Sequence, residues 1–177
     1  MTLPYPLYTV AYLDVSASDR ALIDAIRQVH DPQLNVVAPH FTFVFACKAV
    51  PQATYIEHIA SVARGNLPIR FHCRYAMLGA DDLDDTAHVF FVPDEGNSSI
   101  SLLHDRLYTG PLAEHQRHEF PFIPHITVAS TKDRKLTRSL CKSLNSAGVD
   151  IQGTLRSLTV GALTDEKLQF ISEHRLE

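Results

Sequence analysis

Two histidines in this chain stand in matched surroundings: Pro39-His40-Phe41-Thr42-Phe43 and Pro124-His125-Ile126-Thr127-Val128. On a β-strand, residues i and i+2 share a face. His40 and Thr42 would therefore point one way, and Phe41 and Phe43 the other, into a core. The same holds for His125 and Thr127 against Ile126 and Val128. Two imidazoles and two hydroxyls facing one another suit phosphoryl chemistry. Opening a cyclic phosphodiester needs water deprotonated on one side and the departing ribose oxygen protonated on the other. Histidine ionises nearest neutrality, so one imidazole can be base and the other acid at the same pH. The threonine hydroxyls can donate to non-bridging phosphate oxygens and stabilise charge there.

Such a site needs a scaffold that presents both motifs equivalently, and the hydrophobic periodicity provides one. Residues 5–13 read as a strand. A helix follows, capped by Ser16 or Ser18, with Leu22, Ile26 and Val29 on its apolar stripe, and Asp31-Pro32 ends it. His40 to Ala46 is a strand. The helix opening at Pro51 buries Tyr55, Ile56, Ile59, Val62 and Ala63 and closes at Gly65. Ile69 to Leu78 is a strand, and residues 79–85 form an acidic turn. The order then recurs. Ala87 to Val92 is a strand, and Asn97 or Ser98 caps a helix carrying Ile100, Leu103 and Leu107. His125 to Ala129 is the second motif strand. Leu136, Leu140 and Leu144 mark a helix that Gly148 closes, and Leu155 to Leu163 and Leu168 to His174 are the last two strands. The pattern is β-α-β-α-β twice, with one added strand. It predicts an internal duplication of about residues 1–80 and 86–177 within one α+β domain spanning 1–177.

The chain has 177 residues and a formal net charge of −4, which argues against a surface built to grip long nucleic acid. A small anionic substrate needs only local cations. Arg74 and Arg156 occupy equivalent third strands and are candidates for neutralising phosphate. The long stretch from Gly110 to Pro124 holds His115, Arg117, His118, Phe120 and Phe122. It leads straight into His125, so it could cover a cleft and stack an aromatic ring, such as that of Phe122, on a base. Tyr8, Tyr12 and Tyr108 are further stacking candidates. His115 and His118 lack a third ligand, and Asp81, Asp82, Asp84 and Asp85 lack the glycine and glutamate of a calcium loop, so no metal is expected. Cys47, Cys73 and Cys141 lie far apart and odd in number, which suits buried thiols in a reducing cytoplasm. Pro4, Pro6 and Asp14 break the first apolar run, so neither a signal peptide nor a membrane span is expected.

The pair of motifs resembles the His-x-Thr/Ser-hydrophobic signatures of the 2H phosphoesterases, the superfamily of 2′,5′-RNA ligase-like proteins and cyclic phosphodiesterases. The resemblance runs over essentially the whole chain. It implies a bilobal α/β fold in which two antiparallel sheets flank a central cleft with helices outside, related by a pseudo-twofold axis. It implies hydrolysis with no metal or cofactor, catalysis by His40 and His125, and phosphate binding by Thr42 and Thr127. It implies further that His125 activates water and His40 protonates the leaving oxygen. On a 2′,3′-cyclic phosphate this would release O3′ and leave a 2′-phosphate. The expected partner is a nucleotide or RNA terminus bearing a cyclic phosphate, taken by a monomer with no obligate protein partner. The same motifs fit a 2′,5′-linked oligonucleotide, RNA ligation by reversal, or a nucleotide-binding module without turnover.

Overall fold

The computed structural model describes residues 4–80, 85–164 and 167–177. The elements run β1 (Leu7–Tyr12), β2 (Asp14–Val15), α1 (Ala17–His30), β3 (His40–Cys47), α2 (Gln52–Ala63), β4 (Ile69–Ala80) and β5 (Ala87–Glu95). They continue with α3 (Asn97–Leu107), a 3-10 helix (Gly110–His115), β6 (Ile126–Thr131), α4 (Arg134–Ala147), β7 (Ile151–Leu155), β8 (Ser157–Leu163) and β9 (Leu168–Arg175). They form two antiparallel sheets of order β3-β1-β8-β9 and β2-β7-β4-β5-β6. One continuous apolar core joins residues from both halves of the chain, including Phe41, Phe43, Phe71, Phe91, Ile126 and Val128. No described helix is long and apolar enough to cross a membrane.

The two sheets share a strand order. In the first sheet the motif strand β3 pairs with β1, and β1 with β8; in the second, β6 pairs with β5, and β5 with β4. Each half thus gives its third strand to the other half's sheet. The first helices are exchanged too: α1 packs against β6, and α3 against β3. Tyr8 lies opposite Gly161, as His88 lies opposite Gly79. These registers align Tyr8, Val10 and Asp14 with His88, Phe90 and Asp94, and Leu78-Gly79-Ala80 with Val160-Gly161-Ala162. Each motif strand is the outermost strand of its sheet, and the two approach one another.

Several sequence-based expectations change. Residues 155–163 are not one strand: β7 ends at Leu155, paired with β4 in one sheet, and β8 begins at Ser157, paired with β1 in the other. Arg156 is the crossing point. The cap of α3 is Gly96, at φ 84°, rather than Asn97 or Ser98. A Cβ there would collide with the Arg70 carbonyl, and the left-handed backbone excludes most side chains. Ser16 does cap α1, accepting from Asp19 N at 3.1 Å. The stripe of α1 is misplaced by the sequence: Leu22 and Val29 are exposed, and the helix buries Ile23 and Arg27. In α4, Leu136 is exposed and Thr137 and Cys141 are buried, with Leu140 and Leu144 beside them. The stretch from Gly110 opens with a 3-10 helix that buries Leu112. Most of the acidic turn, residues 81–84, lies outside the described residues.

Candidate active site

The two motifs share one burial pattern: proline buried, histidine half-buried, hydrophobe buried, threonine half-buried, hydrophobe buried. The strand alternation thus puts the imidazoles and hydroxyls on the open face. The prolines have a local use. His40 Nδ1 lies 2.8 Å from the Ala38 carbonyl, and His125 Nδ1 lies 2.6 Å from the Ile123 carbonyl, each two residues back across the proline. A proline holds the preceding residue extended and has a fixed φ of its own, which aims that carbonyl at the ring. A carbonyl only accepts, so Nδ1 carries the hydrogen in both rings. In the neutral imidazole the lone pair is then on Nε2. His40 Nε2 is 3.1 Å from Thr42 Oγ1, which donates to it.

Burial holds both imidazoles below the usual histidine range. For His40 it acts most strongly, with a raising contribution from the Ala38 carbonyl and lowering ones from the Arg27 and His125 charges; Asp31 raises it slightly, and the result is about 4. For His125, burial dominates, the Ile123 carbonyl opposes it, and His88 adds to it. Both rings are therefore neutral near pH 7, and the Nε2 lone pair of His40 accepts from Thr42 Oγ1.

This has a consequence for stability. Between pH 6.5 and about 4, an unfolded chain protonates His40 more than the folded one does. Folding stability from this group is thus complete above pH 6.5 and is lost as the pH falls towards 4, by at most on the order of 3 kcal/mol. Urea titrations at pH 7 and pH 4.5 should show that loss, and His40→Gln should shrink the difference between the two pH values.

A cavity of about 330 Å³ opens beside His40 and Thr42, lined by Tyr8, Val10, Val36, Val37 and Phe45, with Gln33 and Thr164 among the polar lining groups. The volume and apolar walls suit a nucleoside-sized ligand. Its wall from residue 33 to 37 is anchored from behind by Arg27, whose side chain is 3% exposed. Nε of Arg27 donates to Asp31 Oδ2 at 2.7 Å, and Nη2 donates to the Val37 carbonyl at 2.7 Å. Asp31 Oδ1 accepts from Gln33 N at 2.9 Å, and the next carbonyl along, that of Ala38, holds His40.

The remaining sequence candidates separate. Tyr8 lines the cavity. Arg74 does not; it is exposed and pairs with Asp94 at 2.6 Å and with Glu95. Arg156 likewise pairs with Asp14 at 2.5 Å. Asp14 and Asp94 are equivalent positions, so the arginines' equivalence is real but serves to tie each third strand to the neighbouring half. Such exposed pairs contribute little to stability. Phe122 stacks on His104 of α3, centroids 3.7 Å apart and nearly parallel, and packs against the core, so its ring is already engaged. His115 and His118 belong to no cluster of three or more metal-binding side chains among the described residues. The sequence reading missed Phe90 and His88. Phe90 lies opposite Thr127, stacks on His125 with centroids 3.9 Å apart, and stacks on His88 at 5.4 Å. Their alignment with Val10 and Tyr8 on the duplicated first strand was the available signal.

Residues 14–165 match the family model of the 2′-5′ RNA ligase superfamily. A protein of Oceanobacillus iheyensis named "Putative phosphoesterase" is 22% identical over 131 residues, 73% of this chain and 74% of its own. The fold matches that of Escherichia coli LigT, crystallised with NADP+, at a TM-score of 0.61 and 16% identity, over 98% of this chain and 99% of LigT. It also matches Kluyveromyces marxianus Usb1, crystallised with uridine monophosphate, at a TM-score of 0.54 and 8% identity, over 93% and 97% of the two chains. With two His-x-Thr strands at the facing edges of two exchanged sheets, and a family match over most of its length, the chain belongs to the 2′-5′ RNA ligase superfamily of 2H phosphoesterases.

Proposed function

We propose that the protein is a metal-independent phosphodiesterase that opens 2′,3′-cyclic phosphates of nucleotides or RNA ends to 2′-phosphates. The observation that carries this is the pair of imidazoles, each locked through Nδ1 to a backbone carbonyl with Nε2 left for the open face. The phosphate sits between the two Nε2 atoms, within reach of the Thr42 and Thr127 hydroxyls. His125 Nε2 takes a proton from water, whose oxygen attacks phosphorus. The P–O3′ bond breaks, and O3′ takes the proton from His40 Nε2. The entering phosphodiester is an anion, and its charge raises the pKa of His40, so His40 Nε2 takes a proton from solvent as substrate binds, releasing the Thr42 hydroxyl to donate to the phosphate. The nucleoside occupies the cavity beside His40, with Tyr8 against the base. That LigT and Usb1 have been crystallised with nucleotides supports a ligand of this class. The three cysteines are free and buried, which supports action in a reducing compartment.

The test is release of 2′-phosphate from the four 2′,3′-cyclic nucleotides with chelator present. Turnover is expected, and its absence on all four bases would overturn the reading. Side-by-side assay of 2′,5′-linked dinucleotides and of RNA with a cyclic end decides the natural substrate. Thr42→Val and Thr127→Val should each lower kcat by roughly 10²-fold, the effect of removing one donor from a developing oxyanion. A change in KM alone would assign the hydroxyls to ground-state binding.

A further inference from the structure

The two histidines are alike in sequence context and in how Nδ1 is held, yet their ring faces are not. His125 lies against the face of Phe90, centroids 3.9 Å apart and planes 25° from parallel. Among the described residues His40 meets no such face: its aromatic neighbour there is Tyr12, edge-on at 6.4 Å and 74°, and the position equivalent to Phe90 is Val10. Phe90 is itself held in place. Its ring lies over Gly79 on β4, where a Cβ would overlap three of its carbons, and it stacks on the ring of His88 at 5.4 Å. The glycine is what leaves room for a phenyl ring at this height above the sheet.

A phenyl face carries partial negative charge and attracts a cation stacked on it. It therefore stabilises the imidazolium form of His125 more than the imidazole form, and it does so as the proton arrives. We infer that Phe90 is a positioning residue that fixes the ring plane of His125 and assigns the proton-accepting step to it, leaving His40 as the acid. This rests on the phosphodiesterase reading above. In that step the water O–H bond breaks to His125 Nε2 as the O–P bond forms, and the P–O3′ pair takes the His40 proton. Among the described residues, the charged groups acting on His40 are Arg27, Asp31 and His125, and the one acting on His125 is His88 from β5. His88 also stacks on Phe90, so the titration is repeated in a His88→Gln background to separate its charge from the ring face.

The experiment compares wild type with Phe90→Leu, Phe90→Tyr and Gly79→Ala as full chains. The ring nitrogens of both histidines are titrated by NMR with and without 2′-AMP, and kcat and KM are measured on 2′,3′-cyclic AMP. Phe90→Leu should move the His125 midpoint down, leave that of His40 in place, and lower kcat about tenfold with KM within twofold. Phe90→Tyr, which keeps the ring face, should restore both. Gly79→Ala should act in the same direction as Phe90→Leu by displacing the ring, and it provides the result if Phe90→Leu does not fold. An unmoved His125 midpoint, or a His40 midpoint that moves instead, overturns the inference. If the wild type turns over no cyclic nucleotide, the proposed function fails by the kinetic measurement, while the titration still decides whether Phe90 backs the imidazolium.

Discussion

Replacing His40 or His125 by alanine is expected to lower kcat on 2′,3′-cyclic nucleotides by roughly 10²- to 10⁴-fold, the range for losing a positioned general acid or base. KM should change little in His125→Ala, whereas His40→Ala should also raise KM, because the bound anion draws a proton onto His40 and is held by that charge. The two losses should not add: once one end of the proton relay is gone, removing the other costs less, as for groups that act as a unit. A double variant no slower than the worse single variant fits this. Full rate retained in either single variant would remove that histidine from the chemistry. Protein stability is a separate readout, since each ring also makes a hydrogen bond to backbone. His40→Gln and His125→Gln keep much of the volume and separate lost chemistry from lost fold.

Arg27→Met is the substitution expected to damage the fold most. Arg27 and Asp31 are both almost fully buried, and removing one partner leaves the other charge unpaired in the interior. The expected cost is roughly 3–5 kcal/mol of unfolding free energy, read from urea melts. The position equivalent to Arg27 in the second half is Leu107, a core residue. One repeat therefore fills this site with a hydrophobe, and the other keeps a guanidinium. Arg27 Nη1 is buried without a hydrogen-bond partner in the structure, a further sign that the residue is held for something other than stability. Because Arg27 braces the carbonyls around residues 33–37 that lead to Ala38, loss of the pair should also loosen His40. A double change of Arg27 and Asp31 to apolar residues should recover stability without recovering rate. A loss under about 1 kcal/mol in Arg27→Met would show that the pair contributes nothing net.

The site was legible in the sequence to the extent that it follows from strand alternation. His40, Thr42, His125 and Thr127 share faces because the period of a strand is two, and the duplicated order placed the motifs equivalently. The helices were found for the same reason, since α2 and α3 bury the residues that their spacing marks. The face of α1 was misread because a buried arginine stands where the pattern needs a hydrophobe, so Leu22 and Val29 were taken into the stripe in its place. The break at Arg156 was invisible locally: residues 151–163 are uniformly strand-like, and only pairing with two different sheets divides them. Arg74 and Arg156 were recognised as equivalent, but their partners, Asp94 and Asp14, are set by cross-strand geometry. Phe90 carries no motif of its own. It matters only because β5 pairs with β6 in a register that sets it against His125, over a glycine from a third strand. Long-range register of this kind is the part of a site that periodicity does not report.

A crystal structure with 2′-AMP bound tests the central claim most directly. The account predicts a phosphate whose oxygens lie within hydrogen-bond distance of Nε2 of both His40 and His125 and of both threonine hydroxyls, with adenosine extending into the cavity beside Tyr8. A phosphate held by one histidine alone, or bound elsewhere on the molecule, would contradict it.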